Sequence, residues 1–430
     1  MKAVIVSTPA TGHLNPLLSI GKILADGGHE VIGLSSHAMQ ERIEHIGAAF
    51  HAFPPQADFD LRTIETVFPE LETMPPGPEM TLFYMKRVFF DSVPAQHEGL
   101  RQVLSSYPAD IIIGDNFMYG TFPMLLGPRS RRPAVALCGT MILHMQRDDG
   151  APNFAGLHPA ASSSEAEAYA AIFQQHDAAV FEPARRHLNQ ILADVGAPPL
   201  TTNIFDASVR LPDAFLQLTV PGFEFPRQEL PSSVHFIGTP QITPNQAPLP
   251  AWAEELDGQR KVVLVTQGTF SNHNFGQLVA PTLEALADEK DLLVVVTTGG
   301  RAPEAIPGPI PDNARVARYL PFEWLLPKVD AFVTNGGYGS INQALSFGIP
   351  IVAAGLSEDK ADANARVHWS GAGIDLATND PSPRELRDAV RQVFENPAYR
   401  HHAKRLASEF ARINMRSEVL RILEGLAIAS

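Results

Sequence analysis

Apolar positions in this chain come in short unbroken runs, set between stretches with helical spacing. That is the pattern of strands buried on both faces and of the helices that cover them. Residues 3–6 (AVIV) make the first run. After it, Asn15 is placed to cap a helix with Pro16 in its first turn. Leu17, Ile20 and Leu24 share one face, and Gly27 and Gly28 end the helix before a second strand at 30–34. "ADIIIGD" predicts a strand ending at Asp115, and "PAVALC" predicts the next, over 134–138. Near residue 220 the chain becomes dense in proline and loses helical periodicity, which predicts a linker carrying a strand at 234–237. The alternation then restarts: strand "KVVLVTQGT", a helix after Phe275, strands "DLLVVVTTGG", "ARVARYL" and "DAFVTN", helix "SINQALSF", strand "IPIVAAG". From Pro383 onward the pattern is mostly helical.

The fold predicted is α/β, with two doubly wound parallel sheets. The first unit spans 1–225, a linker 226–250, the second unit 251–405, and 406–430 form a C-terminal helix able to pack back on the first. Two such units face each other across a cleft, with ligands at the carboxyl ends of the strands.

A length of 430 residues suits two cores better than one. The composition, 45% hydrophobic and 19% charged, describes a globular chain and not a disordered one. A formal charge of −14 argues against nucleic acid or an anionic membrane as the main partner, so a bound phosphate has to be held by local geometry. No apolar run approaches the roughly 18 residues of a membrane helix. The run at 3–6 is too short for a secretion signal, so a cytoplasmic protein, monomer or weak dimer, is expected. The single cysteine, Cys138, rules out an internal disulfide and reads as a small buried hydrophobe. None of the usual metal motifs is present, and no metal or cofactor is expected.

Candidate chemistry gathers at the strand ends. His13 follows the first strand beside a helix start, whose partial positive charge favours a neutral imidazole able to accept a proton. Asp115 ends another strand of the same unit, where a carboxylate could fix the imidazole tautomer. The bland readings are a turn-satisfying histidine and a capping aspartate. In the second unit, "VTQGT" ends a strand with Gln267, Gly268 and Thr269. "TNGGYGS" carries Asn335, Gly336, Gly337, Gly339 and Ser340 into a helix whose buried stripe is Ile341, Ala344 and Leu345. Glycines allow close backbone approach and a helix start favours anions, so this loop suits a diphosphate. Methionine and aromatic clusters in the first unit, with Phe83, Met85, Phe89, Phe117, Met118, Met141 and Met145, read either as core or as the wall of an apolar acceptor pocket.

The motifs "GHLNP", the strand end at Asp115, "YLPFEWLL", and "FVTNGGYGSINQALSFGIP" through "EDKADANA" carry a resemblance over nearly the full length. The chain resembles the family-one, nucleotide-sugar-dependent glycosyltransferases of the GT-B fold, which have two facing Rossmann-like domains. The resemblance implies His13 as general base and Asp115 as its partner in an inverting transfer of hexose. The donor would be a nucleotide diphosphate sugar, UDP-glucose first, and the acceptor a hydroxyl of a small apolar or aromatic molecule. It implies Tyr319 as the stacking surface for the nucleobase and Leu320 as its backbone partner. Thr269, Gly337 and Ser340 match phosphate positions, while Tyr338 reads as packing.

Three departures from the family pattern stand out. Asn335 stands where a histidine usually meets the diphosphate. Gln343 replaces a glutamate that usually accepts from the ribose. Asp359 and Lys360 stand where an acidic residue and a glutamine read the sugar, with one extra residue before Asn364. Lys360 and Arg366 read either as solvated helix charges or as the cation that Asn335 lacks. A dTDP-deoxysugar donor is therefore an alternative. A nucleotide-sugar epimerase or a non-catalytic sugar-nucleotide binding protein is more distant.

Overall fold

The structure is a computed structural model that describes residues 1–75, 77–240, 248–269 and 271–428. The first sheet is built from β1 (Lys2–Val6), β2 (Glu30–Ser35), β3 (Ala49–Ala52), β4 (Ile111–Asp115), β5 (Ala134–Gly139), β6 (Ala214–Gln217) and β7 (Val234–Phe236). The second contains β8 (Lys261–Thr266), β9 (Leu292–Thr297), β10 (Ala314–Ala317), β11 (Ala331–Thr334), β12 (Ile351–Ala353) and β13 (Gly373–Asp375). The strand orders are β3-β2-β1-β4-β5-β6-β7 and β10-β9-β8-β11-β12-β13. Neighbouring strands pair in parallel throughout.

Both orders reverse direction once, between β1 and β4 in one sheet and between β8 and β11 in the other. Above such a reversal the flanking helices leave on opposite faces and open a crevice at the carboxyl ends of the strands. The central strands earn their places by composition. "IIIGD" and "AVALCG" are buried along their whole length, as strands covered on both faces must be.

The structure departs from the sequence reading in the placement of one strand and the start of the first helix, and adds three strands. The strand Val234–Phe236 pairs with β6 and completes the first sheet, although the sequence places it in the linker. Linker residues 241–247 lie outside the described residues. β3, β6 and β13 are strands of three or four residues, too short to stand out in the sequence. The first helix, Thr11–Asp26, starts four residues before Asn15, with extended Ala10 at its cap and Pro16 inside it. Asn15 accepts from Arg42 instead of capping. That earlier start moves His13 from a loop into the first helical turn.

The helix Met415–Ile428 returns to the first sheet. Val419, Ile422 and Leu423 share a cluster with Leu17, Ile20, Leu24, Ile111 and Ile113.

Candidate active site

Asp115 ends β4 fully buried. It accepts from Thr8 N at 2.7 Å, Thr8 Oγ1 at 3.0 Å and Phe117 N at 2.9 Å, and lies 3.0 Å from His13 Nδ1. Burial pushes its pKa up, but the His13 charge and these donors outweigh burial and hold it below the usual carboxylate range. An ionised carboxylate only accepts, so Nδ1 carries the proton. Thr140 agrees: its hydroxyl donates to Asn116 Oδ1 at 2.9 Å, leaving its oxygen 3.2 Å from Nδ1 to accept. In the neutral ring the lone pair is then on Nε2. The His13 side chain keeps 24% of its surface exposed, so that nitrogen has a way out. Its ring stands edge-on to Phe117 at 5.4 Å. The sequence pointed to His13 and Asp115; Thr8 and Thr140 gave no signal because their role depends on contacts across more than a hundred residues.

Across the cleft, loops after β8, β11 and β12 converge. Asn335 is 8% exposed, and its amide donates to the carbonyls of Gln267 at 2.9 Å and Ser271 at 3.4 Å. It ties the β8 and β11 loops together rather than pointing freely outward. The Gln267 side chain is likewise spent inside its loop, donating to Asn274 O and accepting from Val279 N. Gly268 lies at φ +71 with open space around it, and Thr269 is exposed.

Gly337 precedes the helix Tyr338–Ser346, whose start has no side-chain cap. Gly339 is exposed there, Ser340 donates to Gly337 O, and Gln343 is half-buried. Uncapped N–H groups at a helix start are donors awaiting an anion. Gly336 has φ +103, and a Cβ on it would fall 2.3 Å from Asn364 Oδ1. Gly336→Ala is therefore expected to cost about 1–3 kcal/mol, read as a lower denaturant midpoint. An unchanged midpoint would mean the loop has another conformation available.

Tyr319 is 54% exposed, its hydroxyl 3.3 Å from Gly299 O, while Leu320 beside it is buried. Asp359 keeps one buried carboxylate oxygen, Oδ2, with no hydrogen-bond partner among the described residues. Lys360 and Arg366, for which solvated helix charges were one expectation, are both buried. Arg366 Nε meets Glu224 Oε2 at 2.7 Å, and the guanidinium lies 4.1 Å from the Phe225 ring centre. Arg366 is thus committed to the contact between the two domains. Tyr338 is also buried, donating to Glu224 and accepting from Gln217, so packing is what it does.

The acceptor-wall candidates divide. Phe117 touches His13, and Phe89 packs on Phe117 at 5.1 Å. Phe83 is half-buried in a smaller cluster with Leu61, Ile64, Val88 and Ala10. Met141 is half-buried, its carbonyl accepting from Gln217. Met85, on a helical segment, and Met118 and Met145, on the loops after two strands of the first sheet, are sealed in the core of the first domain. Phe154, Phe205 and His144, which the sequence did not single out, complete the aromatic cluster around Phe117.

A family profile described as "Erythromycin biosynthesis protein CIII-like, C-terminal domain" matches residues 281–426. The chain is 36% identical to 4'-demethylrebeccamycin synthase of Lentzea aerocolonigenes over 431 residues, covering 99% of each. It is 31% identical to UDP-glucosyltransferase A1 of Starmerella bombicola, covering 97% of this chain and 89% of that one. The solved structure of CalG4, the calicheamicin glycosyltransferase, shares the fold with a TM-score of 0.73 over 98% of both chains at 19% identity. Matched end to end by such relatives, and built of two facing doubly wound domains, this chain belongs to the family-one glycosyltransferases of the GT-B fold.

Proposed function

We propose that this glycosyltransferase moves a hexose, glucose from UDP-glucose first, to a hydroxyl of a small, largely apolar or aromatic acceptor with inversion at the anomeric carbon. The observation that carries it is the His13–Asp115 pair, 3.0 Å apart, with Nε2 left free beside Phe117. The acceptor O–H hands its proton to Nε2 as its oxygen attacks the anomeric carbon. The bond to the diphosphate oxygen breaks, and UDP leaves with that electron pair. Asp115 stabilises the imidazolium so formed. The uncapped helix start at Gly337 and Ser340 meets the diphosphate, Tyr319 stacks on the base, and Phe89 and Phe117 line the acceptor side. A donor-by-acceptor screen with mass detection tests this. Turnover of no nucleotide sugar with any phenolic or alcoholic acceptor would sink it.

A dTDP-deoxysugar donor is the second reading, favoured by Gln343, which is half-exposed and carries an amide where a carboxylate would favour a ribose 2′-hydroxyl. Strong preference for UDP-glucose over dTDP-rhamnose on one acceptor rules it out.

Asp359 gives this reading a pH signature. Burial, with some help from the Asp362 charge, pushes its carboxyl up to about 6. Above that pH Asp359 offers a sugar hydroxyl an ionised carboxylate; below it the carboxyl is neutral and accepts poorly. The KM for the sugar donor is expected to rise as pH falls through about 6, and Asp359→Asn should remove that inflection. A variant that keeps the inflection would assign it elsewhere.

A further inference from the structure

A diphosphate in the cleft of an acidic protein gains from a nearby cation, and Asn335 supplies none. Lys360 opens the helix Lys360–Trp369 and is 6% exposed. Its stem lies along Gly355: a Cβ added there would sit 3.3 Å from Lys360 Cδ and 2.1 Å from the Asn335 carbonyl oxygen. Its ammonium donates to Ser271 Oγ at 3.1 Å and Ser357 Oγ at 3.3 Å, and pairs with Glu358. Ser271 is the residue whose carbonyl also receives the Asn335 amide. One buried amine therefore sits where the loops after β8, β11 and β12 meet, and burial pushes its pKa down to about 7, so a neighbouring anion is what favours its charged form.

Glu358 reaches it from the solvent side. The residue is held at φ +52, a left-handed conformation that a glutamate adopts only at a cost. Its side chain is 43% exposed, and its two carboxylate oxygens lie 2.9 and 3.0 Å from Ser271 Oγ. A buried ammonium needs an anion nearby. This anion is on the solvent side and close to half in water, so it can leave at little cost. A diphosphate brings more charge than one carboxylate.

We propose that Lys360 is the cation that meets the donor's diphosphate, and that Glu358 is an internal counter-anion which the diphosphate displaces. The inference rests on the nucleotide-sugar reading above. It gives Glu358 a role opposite in sign to every residue that binds the donor.

The test is calorimetric titration of the full chain and its variants with UDP and dTDP, which needs no acceptor and no turnover. Lys360→Met is expected to weaken nucleoside diphosphate binding by roughly tenfold or more, as loss of a charge-assisted contact does. Lys360→Arg should retain most of the affinity, and Glu358→Gln should tighten it several-fold. UDP and UDP-glucose should lose the same factor in Lys360→Met. A loss confined to UDP-glucose would put the ammonium on the sugar and overturn the proposal. Unchanged affinity in Lys360→Met, or weaker binding in Glu358→Gln, would overturn it as well. If Lys360→Met fails to fold, the arginine and glutamine variants decide between the same outcomes. If the unaltered chain binds neither UDP nor dTDP, the donor-site reading itself fails, and this inference with it.

Discussion

His13→Ala should leave UDP binding intact while sugar transfer falls by roughly 10²–10⁴-fold, the usual contribution of a positioned general base. The split follows from the geometry. His13 stands in the helical turn that follows the first strand of one sheet, and the uncapped helix start after Gly337 belongs to the other. The alanine removes Nε2 but leaves Asp115 its bonds from Thr8 and Phe117, so the site around it keeps its shape. Asp115→Asn should fall in the same direction with kcat affected more than KM. The asparagine can offer Nδ1 a hydrogen where a pure acceptor is needed, and can thereby turn the ring to the wrong tautomer. Single-turnover rates with a phenolic acceptor, beside calorimetric UDP affinities, make the comparison. Near-normal transfer in His13→Ala would remove the base from the mechanism, and weakened UDP binding would place the residue on the donor instead.

The second large effect is on stability. Glu224 and Arg366 form an ion pair with side chains only 4% and 1% exposed, between the two domains. Leu143 N and the Tyr338 hydroxyl also donate to Glu224, at 3.0 Å each. Glu224→Gln leaves a guanidinium buried without its counter-charge, which costs about 3–5 kcal/mol. Glu224→Gln with Arg366→Met removes both charges while keeping an acceptor for Leu143 N and the Tyr338 hydroxyl, and should recover most of that loss, because two desolvated ions are then no longer required. Differential scanning calorimetry of the two variants beside the parent reads both effects. A glutamine variant as stable as the parent would show that another group balances Arg366, and a double variant no better than the single would show that the pair itself adds net stability.

Much of this architecture could be read from the chain because central parallel strands must be apolar along their whole length. "AVIV", "IIIGD", "KVVLVT" and "LLVVVT" announce themselves. β3 could not be read, since "AFHA" lies at a sheet edge with every other residue exposed. β13 is three residues long. His13 and Asp115 were legible because each sits beside a strand terminus, where the fold puts ligand contacts. The start of the helix that carries His13 was not. Pro16 is favoured in a first turn and suggested a later start, whereas the chain accepts it inside the helix.

Asn335 illustrates the remaining gap. Its residue type allowed a phosphate contact through an amide, but the actual partners are backbone carbonyls of Gln267 and Ser271. Nothing in residues 333–345 specifies those carbonyls, because they belong to a different strand's loop. The same holds for Glu224 and Arg366, which are 142 positions apart. Each alone reads as a surface charge, and only the packing of the domains makes them a pair.

The returning helix Met415–Ile428 has a mechanical consequence. The chain passes from one sheet to the other between Phe236 and Lys261, and passes back between Phe410 and Met415. The domains are thus joined twice, by the chain on the way out and by the packing of the returning helix on the way back. A single cut between the sheets would leave the two halves associated, because Val419, Ile422 and Leu423 stay buried against the first sheet.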